Sequence, residues 1–137
     1  MERITFIVPG EPVAKGRPRA TTINGDARMY TPKKTANYEA LVALAAQQAG
    51  CVPFQGPVKL TIAAYWSCPK SQQRKRDPRP QQWKVTKPDG DNLMKSIADG
   101  LIGIAYQDDS QAAEVTVRKY VAAQGEPARC EVTIEKL

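Results

Sequence analysis

The stretch Lys87-Pro-Asp-Gly-Asp-Asn-Leu-Met-Lys-Ser-Ile-Ala-Asp-Gly-Leu-Ile-Gly-Ile-Ala-Tyr-Gln-Asp-Asp-Ser-Gln111 decides how the rest of the chain is read. Pro88 keeps Lys87 out of helical geometry, and Asp89 then stands where a side chain can cap the first helical turn. From Asp91 the period is helical. Leu93, Ile97 and Leu101 share one stripe, Met94 and Ala98 lie beside it, and Asp91, Lys95 and Asp99 line the adjacent polar stripe. Gly103 predicts the helix stop, with Asp108-Asp109 in the loop that follows. Two carboxylates at the helix entry are thus expected to meet a second pair past its exit, with one lysine between them.

Clustered carboxylates repel one another unless a cation sits among them, and their hard oxygens suit Mg²⁺ or Mn²⁺. Capping and the helix dipole also place aspartates at helix starts, so a structural and a metal-binding reading both stand on these residues alone. An EF-hand calcium loop fits less well. Asp89-Gly-Asp-Asn-Leu lacks that loop's third oxygen ligand and its glycine at position six.

The pattern Asp89-x-Asp91-Asn92-Leu93-x-Lys95, then Asp99, then Asp108-Asp109-x-Gln111 resembles the signature of the RusA family of Holliday-junction resolvases. These are small homodimeric, magnesium-dependent endonucleases, often encoded by prophages. The resemblance implies that Asp89, Asp91 and Asp109 are the metal-binding catalytic set and that Lys95 is the family's motif lysine; Asp108 is added as an auxiliary ligand. The N-terminal segments Pro12-Val-Ala-Lys-Gly-Arg-Pro-Arg19 and Tyr30-Thr-Pro-Lys-Lys34 are similar to phage-type members. Gly100 departs from the family's usual alanine, which predicts a helix loosened by about 1 kcal/mol.

Composition narrows the alternatives. The 137 residues predict a single domain, residues 1–137, for which dimerisation would add useful buried surface. There is no histidine, which excludes histidine bases, Ser-His triads and histidine-containing zinc sites. Cys51, Cys68 and Cys130 are widely spaced with no C-x-x-C pair, and read as free thiols in a reducing cytoplasm. No apolar run approaches a membrane span and no signal-peptide pattern is present. The formal charge is +6. Setting aside the five acids of the quoted stretch leaves nine of the fourteen against twenty cations, a balance suited to a polyanionic partner.

Outward from the central stretch, residues 3–8 alternate as a strand. The arm at 11–32 carries Lys15, Arg17, Arg19 and Arg28 around an Asn24-Gly25 turn signal. Thr31-Pro32 predicts a helix start, with Thr31 as cap and Tyr38, Leu41, Val42, Ala45 and Ala49 as the apolar face. Lys33 and Lys34 at that start oppose the helix dipole and suggest a facing anion. Residues 57–66 read as a strand. The segment Cys68–Lys87 reads as a long mobile loop with seven cations and one acid, Arg74, Lys75, Arg76 and Lys87 among them, and Trp83, which could stack on a base, is expected rather to pack beneath it. A hairpin around Gly125-Glu-Pro127 closes the chain. This order predicts an α+β two-layer fold, a mixed β-sheet with helices packed on one face, and the resemblance makes it RusA-like.

Phosphodiester hydrolysis needs an activated water and neutralised phosphate charge, both supplied by a carboxylate-held Mg²⁺. Lys95 either faces the scissile phosphate or bridges to Asp91 or Asp99, with Asp99 more suited to orienting Lys95 than to binding metal. Lys15, Arg17, Arg19, Lys33, Lys34, Arg74, Lys75, Arg76 and Lys87 are the candidate DNA contacts. The expected activity is a magnesium-dependent resolvase nicking four-way DNA junctions in pairs during recombination and repair. Two matched nicks require two active sites, hence a homodimer, with Ile102, Ile104 and Tyr106 as candidate interface residues. A non-catalytic DNA-binding module with structural aspartates is the alternative. A nucleotide-processing phosphotransferase is disfavoured by the lack of a P-loop, and no nucleotide cofactor is expected.

Overall fold

The computed structural model describes the backbone of residues 1–137; the side chain of Arg19 lies outside the described residues. Strand β1 spans Arg3–Pro9, β2 Arg19–Ile23, β3 Asp26–Tyr30, β4 Val58–Trp66, β5 Gln82–Trp83, β6 Ala112–Val121 and β7 Arg129–Lys136; helix α1 spans Lys33–Gln48 and α2 Gly90–Gly100. Five strands form one mixed sheet in the order β1-β7-β4-β6-β5, and β2 and β3 form a separate hairpin. This is the α+β arrangement that the alternation of residues predicts.

One sheet face is apolar because alternate residues point the same way. Ile4, Phe6 and Val8 of β1, Val58, Leu60, Ile62 and Ala64 of β4, and Cys130, Val132 and Ile134 of β7 are all buried. They form one cluster with Tyr38, Val42 and Ala46 of α1 and with Leu93, Ile97 and Ala98 of α2. Ala46 takes the place on the α1 face expected of Ala49, because burial follows the i, i+4 row from Tyr38 and Val42.

The last two strands do not pair as the expected hairpin. β6 runs parallel to β4, α2 forming part of the crossover, whereas β7 lies antiparallel on the other side of β4 and also pairs with β1. The Asn24-Gly25 signal does hold. Ile23 pairs with Asp26 across a two-residue loop in which Asn24 and Gly25 take φ of 51° and 84°, the left-handed pair of a type I′ turn.

Two expectations about the helices are corrected. Pro32 occupies the N-cap position of α1 without a side-chain cap, and the buried Thr35 hydroxyl instead accepts from Gly16 N at 2.9 Å. Thr35 thereby ties the basic arm to the helix. Gly100 is not a loosened position. A methyl group there would lie 2.8 Å from Glu39 O and 3.1 Å from Val42 Cβ, so the missing side chain is what lets α2 press against α1.

Candidate active site

Asp89 occupies the N-cap position of α2, yet its side chain caps nothing. Asp91 follows in the first turn. Among the described residues, Asp89, Asp91 and Lys95 are exposed and their side chains make no hydrogen bond or ion pair. Of the two alternatives for Lys95, the bridge to Asp91 or Asp99 is absent among the described residues, and Asp99 pairs with another lysine. Lys15 lies 3.0 Å from Asp99 Oδ2 and 2.6 Å from Glu39 Oε1. Burial works against the Lys15 charge, but the two acids outweigh it and raise its pKa. Its backbone N also donates to Asn92 O at 2.8 Å, and Ser96 Oγ donates to Val13 O at 2.6 Å. Lys15 thus holds the arm along α2, and its ammonium is turned to Glu39 and Asp99.

The entry to α2 has a second anchor that the sequence did not suggest. Lys119 Nζ, from β6, donates to Thr86 O at 2.8 Å and Pro88 O at 2.6 Å. The backbone immediately ahead of Asp89 is therefore fixed by a lysine thirty positions later in the chain, a contact no local pattern encodes.

Asp108 and Asp109 lie in and before a 3-10 turn at Asp109–Gln111, where Asp108 accepts from Ser110 N. Gln111 completes the turn: its Oε1 accepts from Gln107 N and Asp108 N, and its Nε2 donates to Phe54 O and Gly56 O at 3.0 and 2.9 Å. A hydrogen bond between the two carboxyls raises the pKa of Asp109 and lowers that of Asp108, and Asp99 adds to the Asp109 shift. Negative charge is thus concentrated at this turn.

The two acidic pairs sit at opposite ends of α2. Asp91 and Asp99 are separated by about 12 Å at the helical rise of 1.5 Å per residue, and Asp109 neighbours Asp99. Among the described residues no three acidic or thiol side chains converge into a metal cage. The donor chemistry nonetheless fits Mg²⁺, which keeps several waters and binds through one or two carboxylates together with substrate phosphate. Asp89 and Asp91 offer such a pair, both side chains without a partner among the described residues.

A cleft of about 560 Å³ is lined by Val13, Gly16, Arg17, Lys34, Trp66 and Pro88, the residue before Asp89. Lys33 and Lys34 are exposed at the start of α1, and no acidic residue shares that turn. The basic segment is fastened rather than a free loop. Gln124 Oε1 accepts from Arg74 N and Arg79 N, its Nε2 donates to Arg74 O, and Arg79 Nε donates to Gln72 O. Arg74 lies 3.6 Å from Asp77, while Lys75, Arg76 and Lys87 are exposed. Trp83 does not pack beneath the segment; it stacks on Tyr120 at the sheet edge with 65% of its surface exposed. Of the candidate interface residues, Tyr106 is fully buried, its hydroxyl donating to Ala98 O at 2.7 Å, because the turn after α2 folds back; Ile102 remains exposed.

The model of the endodeoxyribonuclease RusA family matches residues 9–135. The chain belongs to that family. This RusA-family chain is 36% identical over its whole length to an uncharacterised protein, YqaN, of Bacillus subtilis (strain 168), covering 99% of that protein. It is 28% identical to a crossover junction endodeoxyribonuclease, rusA, of Lactococcus phage r1t, over 84% of this chain and 82% of the phage protein. Family membership makes the chain an endodeoxyribonuclease, and the catalytic alternative prevails over the purely structural one.

Proposed function

We propose that residues 1–137 form one magnesium-dependent domain that resolves Holliday junctions by paired nicks, working as a homodimer. The observation that carries this reading is the Asp89–Asp91 pair, without side-chain partners among the described residues, which directly follows Pro88 of a cleft also lined by Arg17 and Lys34. Carboxylates left without partners beside cations suit a divalent ion and a phosphate together, and a structural helix cap would have used Asp89. Asp89 and Asp91 would hold the ion, and of the second acidic pair the family resemblance assigns Asp109 to the metal set, with Asp108 as an auxiliary. When bound, Mg²⁺ (or Mn²⁺) supplies an activated water and neutralises phosphate charge.

The chain's own groups do the rest. Lys95, without an ion pair among the described residues, lies one turn from Asp91 and can face phosphate charge. Arg17, Lys33, Lys34, Lys75, Arg76 and Lys87 draw the backbone of branched DNA across the cleft, with Arg74 beside them. Lys15 positions the arm that carries Arg17.

The test is Asp91→Asn with a synthetic four-way junction. Cleavage in Mg²⁺ should fall by orders of magnitude while junction affinity holds or improves, since a negative charge facing phosphate is removed. Full cleavage by the variant, or by the wild type in EDTA, would sink the metal mechanism.

A further inference from the structure

The strand register builds a feature on the uncovered sheet face that the proposed chemistry does not use. Tyr65 and Tyr120 occupy paired positions on β4 and β6, and Trp83 pairs with Tyr120 from β5. Their rings form one pile: Tyr65 on Tyr120 with centroids 5.0 Å apart, and Tyr120 on Trp83 at 4.7 Å. The Arg129 guanidinium closes the inner end, 4.0 Å above the Tyr65 ring. The outer end is open. Trp83 is 65% exposed, and Val85, two positions on, is 90% exposed. Lys84 N donates to Lys119 O, which extends the ladder one position past Trp83, to the residue before Val85.

Large apolar side chains held out in water imply an occupant. Charge identifies it. The surrounding segment Cys68–Lys87 carries seven cations and a single acid, so an acidic or purely apolar protein surface matches the ledge less well than nucleic acid. Every nucleobase has a flat face that stacks on an aromatic ring, whereas the paired bases of an intact duplex are already stacked. The backbone from Val85 reaches Asp89 in four residues, with Lys119 holding the carbonyls of Thr86 and Pro88 between them.

We infer that Trp83 and Val85 form a base-contacting ledge that takes an unstacked nucleobase of branched DNA, Trp83 by stacking and Val85 by apolar contact. The ledge gives selectivity for junctions over linear duplex, and this assignment rests on the DNA-binding reading above.

Four-way junctions carrying 2-aminopurine at the branch point, in Ca²⁺ to limit cleavage, test it. Wild-type protein should change the 2-aminopurine emission. Trp83→Ala should abolish that change and weaken junction binding about tenfold to a hundredfold, with affinity for linear duplex unchanged and with Trp83→Phe restoring most of the loss. A Trp83→Ala variant that is folded by circular dichroism yet matches wild type on the junction overturns the ledge. So does an equal loss on duplex and junction, or a drop to monomer on sedimentation, which would make the patch a contact between copies. If Trp83→Ala fails to fold, Val85→Ser provides the same comparison. Wild type that ignores junctions but loses single-strand binding on Trp83→Ala would refute the resolvase reading and keep the ledge.

Discussion

Gly100→Ala separates two physical effects of opposite sign. Helix propensity alone favours the alanine by about 1 kcal/mol. Contact with α1 opposes it, because the new methyl would stand 2.8 Å from Glu39 O, 3.2 Å from Glu39 Cα and 3.1 Å from Val42 Cβ. Two of these neighbours are backbone atoms, which cannot swing aside as a flexible side chain does. Overpacking of this kind costs about 1–3 kcal/mol, and a backbone neighbour puts the site at the upper end. The net expectation is destabilisation by about 1–2 kcal/mol, or a fall in Tm of about 3–10 °C for a chain of this size. The separation of α1 and α2 also sets where Glu39 and Asp99 grip Lys15, so the same variant should loosen the arm. Thermal unfolding by circular dichroism gives the first number, and amide exchange at Lys15 the second. A variant with raised Tm would show that propensity governs this position and that the helix packing yields easily.

Lys119→Met should lower turnover about tenfold and raise the Mg²⁺ concentration for half-maximal cleavage, with junction affinity within twofold; it also strips two carbonyls of their partner, and Lys119→Arg should recover part of the effect. An unchanged magnesium dependence would remove Lys119 from the site's support. Alanine at Arg74, Lys75 and Arg76 together should flatten the salt dependence of binding by about one unit of log–log slope for each phosphate that is no longer neutralised, and an identical slope would free that segment from a DNA role. Cys130 is pushed up to about 11 by burial, against the hydrogen bond it accepts from the Tyr38 hydroxyl. Its folded pKa exceeds the unfolded value, so its contribution to stability is complete below about pH 9 and is lost as pH rises toward 11. Urea midpoints from pH 7 to 11 should stay level and then fall, and Cys130→Ala should fall less steeply over the upper part of that range.

The elements that could be read from the residues are those whose signal is local. The stripe Leu93, Ile97 and Leu101 specifies α2, the alternation Val58 to Ala64 specifies β4, and Asn24-Gly25 specifies a turn, each within a few positions. The carboxylates at the start of α2 were visible for the same reason. Contacts set by the packed fold were not. Lys15 reads as one more cation of a basic arm, and only the approach of α1 to α2 shows that Glu39 and Asp99 claim it. Gln111 has no local meaning until Phe54 and Gly56 are brought beside it. Lys119 is separated by most of a strand and a whole helix from the carbonyls it holds. Tyr106 looks available for an interface until the turn after α2 buries it, and the expected terminal hairpin ignores β4 as a competing partner for both strands.

The position of β7 sets an order of events in the life of the chain. β7 is the last strand in sequence, yet it lies between β1, the first, and β4, with Arg3 opposite Glu135. While residues 129–136 remain inside the ribosome, β1 has no partner in the sheet and β4 has an open edge. The nascent chain must therefore hold an unpaired apolar strand in reach of other chains until residues 129–136 have left the ribosome. Folding by late insertion also links the two ends of the segment in space, so a circular permutant joined through them and opened at the exposed Asn24-Gly25 turn would make β7 and β1 neighbours in synthesis as well as in the sheet.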